Sequence, residues 1–224
     1  GAEHPDVATS LNNLAALYES QGRYTEAEPL FIQALEMYKK LLGAEHPSVA
    51  TSLNNLAALY ESQGRYTEAE PLFIQALEMY KKLLGAEHPY VATSLNNLAF
   101  LYYAQGRYTE AEPLFIQALE MYKKLLGPEH PLEMYKKLLG PEHPNVASSL
   151  NNLAALYSAQ GNIASAVQYL ERGLEVQEKN LTYNLAAGAE PQKDQYLTTI
   201  SGTKSFAISL HLQTAPNNPA ATTL

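Results

Sequence analysis

HPDVATSLNNLAALYESQGRYTEAEPLFIQALEMYKKLL, residues 4–42, is copied almost letter for letter along the chain, and that copying decides the fold. Residues 1–42 recur as 43–84 with one change, Asp6 becoming Ser48, and recur again as 85–126 with four. A stretch of about forty residues cannot bury enough apolar surface alone. Stacked copies share one continuous core, so a fixed period of this length points to a solenoid whose output is binding and not catalysis.

Within the unit, Val7, Leu11, Leu14, Ala15 and Tyr18 form the stripe of an amphipathic helix, and Ala27, Leu30, Phe31, Ala34, Leu35, Tyr38, Leu41 and Leu42 form a second. Pro5 suits the first helical position, where its missing N–H costs nothing, and Gly22 and Gly43 suit helix ends. Thr25 and Glu28 read as a T-x-x-E capping box opening the second helix, with Pro29 in its first turn. The fold class is therefore all-α: an α-solenoid of antiparallel pairs, each helix about 17 residues and roughly 25 Å long. Ala15, Ala27 and Ala34 leave room for close helix approach, with Tyr18, Tyr24 and Phe31 filling the space around them.

Leu14-Ala15-x-x-Tyr18-x-x-x-Gly22-x-Tyr24-x-x-Ala27-x-x-x-Phe31-x-x-Ala34 resembles the tetratricopeptide signature, and it recurs in the next two units. The 42-residue length, with HPxVAxSLNNLAxLYxxQGRYxEAEPL, is similar to the longer repeat of the kinesin light chain group and its bacterial, including cyanobacterial, relatives. The likeness covers residues 1–181. Lys39 stands where the family's usual proline would follow the second helix, as in this longer-helix subgroup. The resemblance implies a right-handed superhelix with a concave groove lined by first helices, which in the family holds peptides.

The units are 1–42, 43–84, 85–126 and 140–181. LEMYKKLLGPEHP at 119–131 is repeated at once at 132–144, leaving 127–139 as a partial-repeat insertion with a short extra helix expected at 131–139. Slippage in repetitive coding sequence explains it better than selection does. The fourth unit keeps the first helix, expected from Asn145 to Gln160, but rewrites the second, with Gly173 replacing an alanine, as terminal repeats of solenoids often do. Residues 182–224 leave the period, and two further helices are expected around Gln192–Ile200 and Lys204–Leu212. ERGLEVQEKNLTYNLAAGAEPQKDQYLTTISGTKSFAISLHLQTAPNNP is similar to the segment that joins such repeats to a CHAT domain, a caspase-like peptidase fold. The catalytic His and Cys of that family have no counterpart here. The first residue, Gly1, lies inside an inter-repeat linker, so a longer array is expected.

Charge and composition narrow the function. A net charge of −8 argues against nucleic acid and anionic lipid as partners, since both are bound by clustered Lys and Arg. No apolar run approaches the roughly 18 residues of a membrane span. The absence of cysteine excludes disulfides and thiolate metal sites, and fits a cytoplasmic protein. His4, His46, His88, His130 and His143 sit in successive linkers, about 10 Å or more apart, too far to share a metal, and suit helix capping instead. Lys39 and Lys40 read as a solvated helix end. There is no glycine-rich phosphate loop and no HExxH motif, so neither an enzyme nor a cofactor is expected.

On a helical wheel Thr9, Asn12, Asn13, Ala16, Glu19 and Ser20 oppose the apolar stripe, and this polar side is expected to form a peptide-binding groove. The asparagine row runs Asn12, Asn13, Asn54, Asn55, Asn96, Asn97, Asn151 and Asn152. Asn donates and accepts together, so such a row can satisfy an extended peptide backbone; alternatively the row bridges neighbouring first helices and holds the stack in register. Two polar-side positions vary between repeats: Ala16, Ala58, Phe100 and Ala155, and Glu19, Glu61, Tyr103 and Ser158. Phe100 and Tyr103 would give repeat three an aromatic ledge, although neutral drift at solvent positions explains the variation almost as well. The expected function is a non-catalytic scaffold or adaptor taking a protein or peptide. The alternatives are the ligand-sensing arm of a CHAT protease, or a structural spacer.

Overall fold

A computed structural model describes residues 4–126 and 144–187. Among the described residues there are eight helices and no strand: α1 Pro5–Ser20, α2 Tyr24–Leu42, α3 Pro47–Ser62, α4 Tyr66–Leu84, α5 Pro89–Ala104, α6 Tyr108–Leu126, α7 Pro144–Ala159 and α8 Ile163–Ala187. The fold is all-α, built of consecutive helix pairs stacked as a solenoid. The chain divides into two compact units, Gly1–Arg107 and Tyr108–Leu224, parted between α5 and α6. The insertion at 127–139, the last two linker histidines and the tail beyond Ala187 lie outside the described residues.

Local chemistry sets the ends of each first helix. His4, His46 and His88 are N-caps: each imidazole Nδ1 accepts from the backbone N–H two residues on, at 3.2 Å, and proline follows at the first helical position. At the other end Gly22 takes φ +73°, the left-handed region open to glycine. Its N–H donates to the Glu19 carbonyl at 2.8 Å, and the Arg23 N–H donates to the Tyr18 carbonyl at 2.9 Å. This Schellman closure turns the chain back within three residues and lays the Arg23 guanidinium over the Tyr18 ring, 3.9 Å from its centroid. The same closure recurs at Arg65 over Tyr60 and Arg107 over Tyr102, each at 4.0 Å.

The second helix starts otherwise than its sequence suggests. It begins at Tyr24 with Arg23 as N-cap and no side-chain cap, so Thr25 lies inside the helix and the Thr25–Glu28 capping box does not form. Pro29 falls inside α2, beyond the first turn. It is tolerated because it faces solvent, where the carbonyl it leaves without a donor can bond water. The fourth second helix, α8, runs on to Ala187, past the unit boundary at 181.

Packing follows the small residues. Ala8, Ala15, Ala27 and Ala34 have no exposed surface, and Phe31 is 1% exposed between them. The Thr9 hydroxyl hydrogen-bonds the Tyr38 hydroxyl at 2.7 Å, and Thr51 does the same with Tyr80, tying first helix to second. Thr9 is thus turned toward its own partner helix and away from the polar face assigned to it by the helical wheel.

Between repeats, each second helix packs on the first helix that follows it: α2 on α3 and α4 on α5 in one unit, α6 on α7 in the other. Glu28 of α2 accepts from the Tyr60 hydroxyl at 3.1 Å and from Arg65 at 2.7 Å. Glu70 accepts from Tyr102 and Arg107 at the same distances. In the other unit Glu112 accepts from Tyr157 at 2.7 Å, and Asn162 stands where the arginine would be, its Oδ1 capping Ser165 instead. Burial, with the Glu28 carboxylate adding to it, raises the Tyr60 hydroxyl above the usual tyrosine range, and the hydrogen bond to Glu112, with burial adding to it, raises that of Tyr157.

Candidate binding face of the first helices

In the Gly1–Arg107 unit α1 touches α3 and α3 touches α5, so the first helices lie side by side and present one common face. The asparagines divide over it. Asn12 is buried, and its Nδ2 donates to the Ser52 hydroxyl of α3 at 3.1 Å. Asn97 Nδ2 on α5 donates to Asn54 Oδ1 on α3, also at 3.1 Å. These three amides serve the seams between first helices. Asn13 is exposed, and Asn55 and Asn96 are half-buried.

In the Tyr108–Leu224 unit Asn151 and Asn152 are half-buried on α7. Asn151 Oδ1 is buried and meets no donor among the described residues; it lies against Gly173 of α8, where any Cβ would collide with it. Asn151 is therefore turned onto its own partner helix, into space that the glycine provides.

Glu19 and Glu61 occupy equivalent positions on α1 and α3, and both are half-buried. The Ser62 hydroxyl donates to Glu19 at 3.4 Å. Burial raises both carboxyls above the usual carboxylate range, and at Glu61 the charge of Glu19 adds to the effect. Among the described residues neither carboxylate is paired with a cation. At the equivalent position of α5 stands Tyr103, half-buried, with Phe100 one turn before it and 43% exposed. The two rings lie 6.0 Å apart, tilted by 37°. The face thus runs from two carboxylates on α1 and α3 to an aromatic pair on α5. It offers charge for a cation, amides for a peptide backbone and a ring surface for an apolar side chain.

Tyr90 is a candidate that sequence reasoning passed over. It is 53% exposed at the start of α5, with Tyr80 5.3 Å and His88 5.1 Å away, ring centre to ring centre. The signal was available, for this position differs in all four units: Asp6, Ser48, Tyr90 and Asn145. Burial pushes His88 below the usual histidine range, which keeps its capping nitrogen free to accept. Among the described residues no group of three or more His, Asp or Glu side chains is placed to hold a metal, and no helix is long and apolar enough to cross a membrane.

Comparison with known proteins agrees with this architecture. BtubC (BKLC) from P. vanneervenii matches in structure with a TM-score of 0.65 and 26% identity over 79% of this chain, which spans 65% of BtubC's length. A Podosopora anserina protein of kinesin light chain type, with nearly identical TPR-like repeats, matches with a TM-score of 0.62 and 28% identity, covering 90% of this chain and 97% of that one. The apo form of RapI shares the fold at a TM-score of 0.61 and 17% identity over 93% of this chain and 74% of its own. Among curated proteins none matches in sequence. The tetratricopeptide repeat profile matches residues 6–82, 53–124, 90–134 and 129–179, and the chain belongs to the tetratricopeptide repeat family.

Proposed function

We propose that this chain is a non-catalytic scaffold or adaptor that binds a peptide or protein segment along the face shared by α1, α3 and α5. Tetratricopeptide repeats typically mediate protein–protein interaction, and the fold is generally a non-catalytic one. The observation that carries the reading is the pairing of exposed Phe100 with half-buried Tyr103, which stand at the repeat positions held by Ala16 and Glu19 on α1 and by Ala58 and Glu61 on α3. Asn13 and Asn55 offer amides to a peptide backbone, the ring pair takes an apolar side chain, and the two carboxylates favour a basic one. Residues 1–42, 43–84, 85–126 and 140–181 act as the repeats, 127–139 as an inserted partial repeat and 182–224 as a tail. The absence of cysteine and the net charge of −8 support a cytoplasmic setting and a protein partner in preference to nucleic acid.

The test is selection from a random peptide library displayed on phage. Recovered sequences should combine an aromatic or large aliphatic residue with a Lys or Arg. They should lose affinity for Phe100→Ala/Tyr103→Ala and for Glu19→Gln/Glu61→Gln chains that remain helical by circular dichroism. Recovered peptides that bind both variants as tightly as the parent would remove the proposal. The likeness of the tail to the segment ahead of a CHAT domain favours a second reading, in which the array is the ligand-sensing arm of a protease. Coding sequence beyond Leu224 that lacks a caspase-like fold with its His and Cys would eliminate it.

A further inference from the structure

The joints between repeats are not all completed alike. At Glu28 and Glu70 one carboxylate oxygen, Oε1, accepts from a tyrosine hydroxyl of the next repeat, and the other, Oε2, accepts from that repeat's arginine at 2.7 Å. Glu112 keeps the first half, since its Oε1 accepts from Tyr157, but its Oε2 meets no donor among the described residues. The arginine is missing from the sequence itself: Asn162 stands at its position and accepts from the Ser165 N–H at 3.2 Å.

Most of what holds the arginine elsewhere is nevertheless kept. Arg65 lies over the Tyr60 ring and donates to Gln63 at 3.0 Å, to Glu68 at 2.8 Å and to Glu28. In the fourth repeat Tyr157 and Gln160 occupy the tyrosine and glutamine positions, and Glu112 comes from the helix before; only Glu68 lacks a counterpart, Ser165 standing there. The ring is also less covered. Tyr60 and Tyr102, beneath their arginines, are 8% and 9% exposed, while Tyr157 is only half-buried, although Tyr169 stacks on it, 5.3 Å centre to centre and 11° from parallel. Arg172 of α8 is no replacement: it lies over Tyr169, 6.0 Å from that ring's centroid, and forms no hydrogen bond with Glu112 among the described residues.

We propose that Glu112, Tyr157 and Gln160 form a second binding site, which takes an arginine side chain of a partner polypeptide in the place that Arg65 and Arg107 fill from within the chain. The incoming guanidinium donates to Glu112 Oε2 and to the Gln160 side-chain carbonyl and lies against the Tyr157 ring. Guanidinium is favoured over ammonium because its planar fork reaches two acceptors while its face stays on the ring. The site lies wholly within the Tyr108–Leu224 unit and is separate from the face shared by α1, α3 and α5.

The probe is acetyl-Gly-Arg-Gly-amide, titrated into the full chain carrying 13C in its tyrosine rings, with the Tyr157 signal assigned by its loss in Tyr157→Phe. That signal should shift saturably, and the lysine counterpart of the peptide should bind at least about threefold more weakly. Glu112→Gln should weaken the arginine peptide about tenfold. Asn162→Arg, which supplies the guanidinium from within, should abolish the shift, whereas Asn162→Ala, which removes the same cap without filling the place, should leave it as in the parent. Glu19→Gln/Glu61→Gln should also leave it unchanged, which separates this site from the proposed peptide-binding face. The proposal is overturned by a Tyr157 signal that does not shift saturably, by equal binding of the lysine peptide, or by a loss of binding in Asn162→Ala. Binding that survives Asn162→Arg or Glu112→Gln, in chains still helical by circular dichroism, overturns it as well.

Discussion

The carboxylate of Glu28 reaches out of the first repeat to the guanidinium of Arg65 in the second, 2.7 Å away, and the same two residue types meet again as Glu70 and Arg107. Each acid also takes the hydroxyl of the tyrosine on which its arginine lies. Three groups from two repeats thus form one polar latch at the edge of an apolar seam. Both partners of the Arg65–Glu28 pair are about 70% covered, so solvent screens it less than a surface pair.

Substituting Glu70→Ala removes two charge-assisted hydrogen bonds and leaves Arg107 and Tyr102 facing each other without their acid. The expected loss is about 1–3 kcal/mol in urea unfolding. Glu78→Ala, which breaks a more exposed i,i+3 pair with Lys81, should cost less than about 0.5 kcal/mol.

Leu17 and Leu59 provide an internal control, with the same residue in the same local sequence under different cover. Leu59→Ala empties a fully buried site and should cost about 2–5 kcal/mol, whereas Leu17→Ala, 51% exposed, should cost less than about 1 kcal/mol. Thermal denaturation of the two variants side by side decides it.

Gly173→Ala should stabilise the chain by about 0.5–1 kcal/mol. Alanine is the better helix former by about that amount, and the atom its Cβ would meet is the tip of Asn151, an oxygen that meets no donor among the described residues. The amide can swing outward at little cost. A fall in the denaturation midpoint would mean that Asn151 is held more firmly than this geometry indicates.

Acid should loosen α5 through its cap. His88 must be neutral for Nδ1 to accept the Tyr90 N–H, and a protonated ring would set a positive charge against the positive end of α5. Its folded pKa lies below the ordinary histidine value of 6.5, so its contribution is complete above that value and is lost as pH falls through the lower one. His88→Asn keeps a capping acceptor that does not titrate, and it should flatten the dependence of melting temperature on pH between about 7 and 5.

Much of this architecture could be read directly from the letters. The stripes of period 3.6, the proline starts and the glycine ends mark the helices to within a few residues, because caps and amphipathicity are local. The histidine caps were legible for the same reason. Glu28 was not: Thr25-x-x-Glu28 satisfies a local capping rule, and nothing nearby shows that the acid answers to Tyr60 and Arg65, more than thirty residues away. The asparagine pairs left two readings open, groove contact or a bridge between first helices, for a related reason. Neighbours on a helix point about 100° apart, and Asn12 is turned to the seam while Asn13 is exposed. The aromatic pair at Phe100 and Tyr103 was visible because it broke a repeat that is otherwise copied faithfully.

Because α2, α4 and α6 carry one sequence, and Glu28, Glu70 and Glu112 sit at one place in it, the joints between repeats are interchangeable parts. A gene that gains or drops a whole 42-residue module creates no mismatched joint, so evolution can change the reach of such a chain simply by recombining it with itself. The 13-residue duplication at 132–144 is not a whole module, yet the joint that flanks it still brings Glu112 of α6 to Tyr157 of α7.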